Sequence, residues 1–331
     1  MKLALLFAAA FTTTAFAGTV ASPYEIGKWQ GFRTAAVSYT FDDDLPRQYS
    51  VAVPMFNAKG FKLTLFTVTN WVGSWSPIQS AAAAGHEVAS HTVTHRSLGT
   101  LSTADQATEC NNSKSIINAN VTNQKCLTLA YPNCSEGNDS ITAQSYIAAR
   151  GCSGQIVPAT PANFMNISSL ICGSAGSVKT ATDFNNMANN AANSGGWCVF
   201  LIHALDNDSG FSPLSSSILQ SSVNFMDANR SRFWVQSFLN VVRYIRERNA
   251  ASVSQPSSTA TTVTVSVTDG LDNSIYSFPI TLRRPLPTGW ASAIATQSGR
   301  NLGAQIVTIN TIKFVMFDVV PDTGDVILTK Q

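Results

Sequence analysis

The chain has little charge. Only 12% of its 331 residues are Asp, Glu, Lys or Arg, and 21 basic against 19 acidic side chains leave a formal net charge of +2. So small an excess excludes the electrostatic footprint of a nucleic-acid binder and of a polybasic membrane patch. Beyond the first residues no apolar run approaches the roughly 20 residues of a membrane-spanning helix, so no membrane span is expected. Histidine is scarce, with four residues, and the six cysteines show no zinc-finger spacing. From about Thr261 onward there is neither Cys nor His, which leaves that region without imidazole or thiol chemistry. No internal repeat is present, which excludes a solenoid.

What is there begins with "MKLALLFAAAFTTTAFA", residues 1–17. A Lys, a short apolar core and Ala15-Phe16-Ala17 form the pattern of a secretory signal peptide, with cleavage expected after Ala17 and an extracellular mature protein. Cys110, Cys126, Cys134, Cys152, Cys172 and Cys198 fit an oxidising compartment and are expected to form three structural disulfides, with connectivity left open. Asn-x-Ser/Thr sequons at Asn111, Asn120, Asn133, Asn138, Asn166, Asn207 and Asn229 are candidates for glycan on surface loops.

The middle of the chain alternates apolar strands with helical segments. Strands are expected at 34–41, 61–68, 86–91, 126–131, 151–157, 197–205 and 232–239, with helices such as "STADQATECNNSKSIINA" between them. Seven strands in this rhythm predict an α/β fold, a distorted and incomplete (β/α) barrel whose site lies at the C-terminal strand ends. "NVVRYIRERNA", 240–250, closes this domain, read as 18–249. A Ser/Pro-rich linker follows at 250–260, then short strands with Gly-, Asp- and Pro-rich turns at 261–331, a small all-β sandwich. Whether the sandwich binds polysaccharide or only caps the barrel stays open.

Two stretches carry the chemistry. "SYTFDDDLP" sets Asp42, Asp43 and Asp44 at the end of the first strand, a crowding that disfavours ionising all three. "GHEVASHTVTHRSL" sets His91 and His95 four apart. On a helical turn both imidazoles would share a face and offer two nitrogens to one metal. A carboxylate from one strand end and two histidines from another make three ligands and leave a position open, the pattern of a catalytic zinc site. His203 ends the apolar run "CVFLIHAL" and reads either as a core histidine or, beside a metal, as a general acid or base. His86 and Glu87 read as structural. Trp71 and Trp75 follow the second strand and either stack on sugar at the rim or pack beneath the loop.

Together these stretches resemble the polysaccharide deacetylase family, carbohydrate esterase family four. "TFDD" (40–43) is similar to its first motif, "SHTVTH" (90–95) to its second, "LAYPNC" (129–134) to its third and "LIHAL" around His203 to its fifth. The resemblance covers roughly 35–248 and implies Asp42 as general base, Asp43, His91 and His95 as ligands of one divalent metal, and His203 as general acid. Zinc is the expected ion, with cobalt or another divalent ion as alternatives. Tyr131, Pro132 and Asn133 would flank the substrate, with the Asn133 N–H at the oxyanion. The implied activity is hydrolysis of N-acetyl or O-acetyl groups of a glycan by a secreted, monomeric enzyme. An acetylxylan esterase and a degenerate carbohydrate-binding protein are the alternatives. Three departures stand out. Asp44 replaces a usual glycine and is expected to face solvent. Ala130 stands where the family often has an arginine that pairs with the base. No fourth motif is found between Cys152 and Trp197, so His203 has no identified orienting partner.

Overall fold

The structure, a computed structural model, describes residues 18–331; the expected signal peptide lies outside them. Residues 26–245 form one compact unit, and residues 18–25 with 246–331 form a second.

The first unit is built on eight strands: β1 Ala35–Asp42, β2 Thr64–Thr67, β3 Glu87–Ser90, β4 Thr128–Ala130, β5 Ala148–Arg150, β6 Leu170–Ile171, β7 Trp197–Ile202 and β8 Phe233–Val235. Their order is β5-β4-β3-β2-β1-β7-β6, with β8 also on β1, and every ladder is parallel. Every residue of β1 and of β7 is buried, which is why both read as nearly unbroken apolar runs. β1 has β7 along one edge. Its other edge is shared, Ala35–Val37 with β8 and Thr40–Asp42 with β2. The end strands β5 and β6 are joined irregularly. Residues 164–167 exchange backbone hydrogen bonds with Ala149 and Gly151 before the chain enters β6, so the curled sheet is the distorted barrel expected.

Two strand expectations are corrected. The stretch 151–157 is not a strand; β5 lies just before it, and only Val157 makes an isolated bridge, to Trp197. The short β6 went unforeseen, because two residues are too few to show a period. The helices arise where their caps stand. Ser102 accepts from the Asp105 N–H to start Thr103–Asn120, and a Thr180/Asp183 capping box starts Ala181–Ser194, which Gly195 ends at φ 65°. Tyr39, Phe56, Phe184 and Phe200 interlock in the core, with Tyr39 5.0 Å from both Phe56 and Phe200. Truncating such a ring costs about 3–5 kcal/mol.

The second unit contains two antiparallel sheets. One runs Ser252–Ser258, Thr262–Thr268, Val326–Lys330, Ala293–Gln297 and Arg300–Asn301; the other places Ile312–Val319 between Ile280–Pro285 and Gln305–Ile309 with Glu25–Ile26 at its edge. Strand Thr262–Thr268 buries Val263, Val265 and Val267 and turns the threonines outward, the alternation of a sheet with one wet face. The expected linker at 250–260 is corrected: Ser252–Ser258 is a strand paired with Thr262–Thr268, so its serines and proline belong to an edge rather than a tether. Residues 18–25 and 246–249, assigned by sequence to the barrel, group with this unit.

Cysteine usage is also corrected. Cys134–Cys152 is the disulfide; Cys110, Cys126, Cys172 and Cys198 are buried free thiols. Their surroundings are apolar, and burial pushes the Cys110 thiol up to about 12, so they act as small core fillers.

Candidate active site

The Asp triplet leaves the C-terminal end of β1 through a turn in which Asp43 and Asp44 take left-handed conformations, φ 78° and 56°. This sharp turn sends the three carboxylates in different directions. Asp42, only 2% exposed, points across the barrel to Arg150, whose Nη2 and Nη1 donate to its Oδ2 and Oδ1 at 2.6 and 3.1 Å. Asp43 turns to the histidines. Its Oδ1 lies 3.6 Å from His91 Nε2 and 3.5 Å from His95 Nε2, and it is buried with no hydrogen-bond partner. Contrary to the expectation from sequence, Asp44 does not face solvent. It accepts from the Tyr49 hydroxyl at 2.8 Å and from the Val68 N–H at 2.9 Å, tying the turn to the end of β2.

His91 follows β3 directly. His91 and His95 are brought together by a loop rather than by the helical turn expected from their spacing; Thr92 and His95 have φ 67° and 60°. Glu109, on Thr103–Asn120, holds that loop by accepting from the Val93 and Thr94 N–H groups at 2.8 and 3.0 Å. His91 Nδ1–H donates to the Ala130 carbonyl at 2.9 Å, which leaves Nε2 free as a ligand nitrogen. His203 follows β7, with Nε2 3.8 Å from Asp42 Oδ2 and 3.9 Å from Asp43 Oδ2. Its Nδ1 is buried without a partner. Gln48 donates to the backbone carbonyls of both Asp42 and His203 and so aligns the two strand ends; nothing in the sequence marked it.

The charges follow this geometry. Burial works to raise the Asp42 pKa, yet Arg150, then His91 and His203, outweigh it and hold the carboxyl below its ordinary value. Burial, with Asp42 and Asp44 beside it, raises Asp43 to about 7. Burial lowers His91 to about 4 and also lowers His95 and His203, so all three imidazoles are neutral near pH 7. An orphaned buried oxygen facing two neutral nitrogens is a donor set for a divalent cation. Donors on a tetrahedral ion with bonds of about 2.0–2.1 Å lie about 3.4 Å apart, close to the 3.5 and 3.6 Å seen here. Asp43, His91 and His95 therefore fit the expected metal.

These groups line a cavity of about 360 Å³ together with Tyr131, Asn133, Arg150 and Phe211. The Tyr131 N–H is spent on the Arg150 carbonyl, and the Tyr131 hydroxyl on Thr142. Pro132 is buried beside them, and Asn133 sits at φ 54° in the cavity wall, its side chain donating to Ser97. The two tryptophans part company. Trp71 is 51% exposed with its ring 4.8 Å from that of His95, whereas Trp75 packs against the apolar cluster around Ile78 and Val88 and is not brought to the cavity. Phe211, unmarked by sequence, is also exposed and stands edge-on to His203 at 5.0 Å. His86 and Glu87 are buried and bonded to neighbouring strands, in keeping with a structural reading. Arg150 had no motif to announce it.

Residues 31–150 match the family model described as polysaccharide deacetylase. A gellan lyase of Bacillus sp is 30% identical over 324 residues, an alignment covering 91% of this chain; the chain spans only 13% of that protein's length. Among solved structures, a Mycobacterium smegmatis protein assigned to the polysaccharide deacetylases shares the fold, with TM-score 0.51, 18% identity, and 66% of this chain covered against 92% of the other. The Xyl-CE4 domain of a xylanase from the hindgut metagenome of Trinervitermes trinervoides aligns at TM-score 0.45 and 20% identity, over 62% of this chain and 88% of that one.

Proposed function

We propose that the protein is a secreted, metal-dependent deacetylase that removes acetyl groups from an extracellular glycan. The observation that carries this reading is Asp43 Oδ1, buried without a partner and facing the Nε2 atoms of His91 and His95. Asp43, His91 and His95 would hold one divalent ion, zinc by preference. When bound, such an ion supplies Lewis acidity toward an acetyl carbonyl and lowers the pKa of water.

The remaining chemistry belongs to the chain. Asp42, kept ionised by Arg150, takes a proton at a carboxylate oxygen from the attacking water. The Asn133 N–H, at the cavity wall, donates to the developing oxyanion. The proton taken by Asp42 passes to His203 Nε2, 3.8 Å from Asp42 Oδ2, which delivers it to the leaving atom, and acetate separates from the freed sugar amine or hydroxyl. Trp71 offers an exposed ring for a sugar face beside the metal ligands.

One observation favours an O-acetyl substrate, as in an acetylxylan esterase, as the second reading. His203 Nδ1 has no partner to sustain an imidazolium, and burial lowers its pKa further. A sugar alkoxide leaves an ester with less help from a general acid than an amine needs to leave an amide. Acetate release from chitin oligomers and from acetylated xylan, before and after chelation, tests both readings. Asp42→Asn should keep the metal and lose about 10²–10⁴-fold in rate. Full activity in verified metal-free protein would overturn the metal-dependent reading.

A further inference from the structure

We propose that Arg150 is the positioning residue for Asp42, supplying from β5 the guanidinium for which the third-motif position on β4 offers only Ala130. The inference rests on the reading of Asp42 as the base. Ala130 and Arg150 are register partners across the parallel β4–β5 ladder. Partners in a parallel ladder point to the same face, so both residues face the barrel interior from the same level. The buried Ala130 carries no side chain beyond Cβ, and Arg150, 1% exposed, reaches the first strand from one strand further away.

The guanidinium is held through its two terminal nitrogens, while its Nε–H is buried without a partner. Its two terminal nitrogens grip both oxygens of Asp42, and Nη1 also meets Thr40 Oγ1 at 3.1 Å. The Phe66 ring lies 5.1 Å from its Cζ. A planar fork on both carboxylate oxygens fixes the carboxyl plane as well as its charge, which a point charge does not. Beyond this rung, the Cys134–Cys152 disulfide joins the segments that follow β4 and β5, so the strand ends bearing Ala130 and Arg150 are tied together. Either strand can therefore serve as the anchor of the charge, and only one of the two positions needs to carry it.

The test uses the full chain reconstituted with zinc, assayed on an N-acetylglucosamine oligomer and on acetylated xylan, with zinc content and melting temperature measured for each variant. Arg150→Ala should lower kcat by about 100-fold or more, with KM and zinc content near wild type. A buried, unpartnered Asp42 threatens the fold of that variant, so Arg150→Lys keeps the charge and removes the fork. It should remain folded and lose about tenfold in kcat, the scale of one charged hydrogen bond. The double variant A130R/R150A moves the guanidinium to β4 and should regain at least about tenfold over Arg150→Ala, or melt cooperatively where Arg150→Ala does not. Wild-type kcat in Arg150→Lys, or a folded double variant with no gain in rate or stability, overturns the proposal. Asp42→Asn separates the layers. If it is inactive while the Arg150 variants are fully active, only the positioning role falls; if it is fully active, the base assignment falls and takes this role with it.

Discussion

In the barrel unit every residue of β1 is buried, whereas in the sandwich unit Thr262–Thr268 buries only every second side chain. A strand buried on both faces has little room for an ionisable group except at its end, and there the barrel places Asp42, His91 and His203 in one cavity. The sandwich disposes of its polar groups along the outer faces of its sheets. Its loop acids, such as Asp269 and Asp322, have no imidazole to complete a ligand set. The same pleated geometry thus concentrates chemistry in one unit and disperses it in the other.

The comparison breaks hardest at a metal ligand. His91→Ala should remove bound zinc and all detectable acetate release while the sandwich keeps its stability. Metal content with domain-resolved hydrogen exchange checks this, and retention of zinc by the variant would move the chemistry away from the proposed site.

The next effect is a pH dependence of opposite sign in the two units. In the barrel, His86 Nδ1 accepts from the Leu63 N–H at 3.2 Å and its Nε2–H donates to Asn57. Burial, then Lys62, lowers its pKa to about 4, so the unfolded chain binds its proton first. Stability from this group is present above about pH 6.5 and is lost as pH falls toward 4, on the order of 3 kcal/mol. In the sandwich, burial raises Asp269 to about 6, with Asp322 adding to it. Its stabilisation is present below about pH 4 and is lost as pH rises through 6. Melting curves of His86→Gln and Asp269→Asn, each subtracted from wild type between pH 4 and 7, should slope in opposite directions. Parallel slopes would refute the contrast.

A smaller effect is expected at Asp44. Asn at this position has one acceptor oxygen for the Tyr49 hydroxyl and the Val68 N–H, and should cost about 1–3 kcal/mol of stability with kcat within a few-fold of wild type. A loss of metal in Asp44→Asn would show that the turn holds the ligand set and not only the strand end. Smallest is Trp71→Ala, which should raise KM for glycan oligomers by about 2–10-fold, the worth of an aromatic stacking contact, and leave hydrolysis of a monomeric acetyl ester unchanged. An equal change on both substrates would assign Trp71 to the packing of His95 instead.

Much of this could be read locally. The β1, β3 and β7 runs stop at the residues that line the cavity, so Asp42, Asp43, His91, His95 and His203 were legible as strand-end groups. The periodicity of 261–331 was equally plain. The Ser/Pro content of 250–260 misled because an edge strand and a tether share a composition when one face is open to water. The even cysteine count misled because a buried free thiol packs like a small apolar residue. The spacing of His91 and His95 suggested a helix, but Glu109 stabilises a loop there from a distant helix.

The sequence by itself determined which side chains gather at the strand ends, because strand burial is a short-range pattern and polar residues collect where it ends. Tertiary structure alone decided what controls them. Arg150 reaches Asp42 from 108 residues away, Asp44 is claimed by Tyr49 and Val68, Trp75 is partly buried against an apolar cluster while Trp71 is exposed, and Cys134 finds Cys152. These pairings depend on which strands become neighbours and in what register. That register is set by packing summed over the whole barrel, and no window of local sequence contains it.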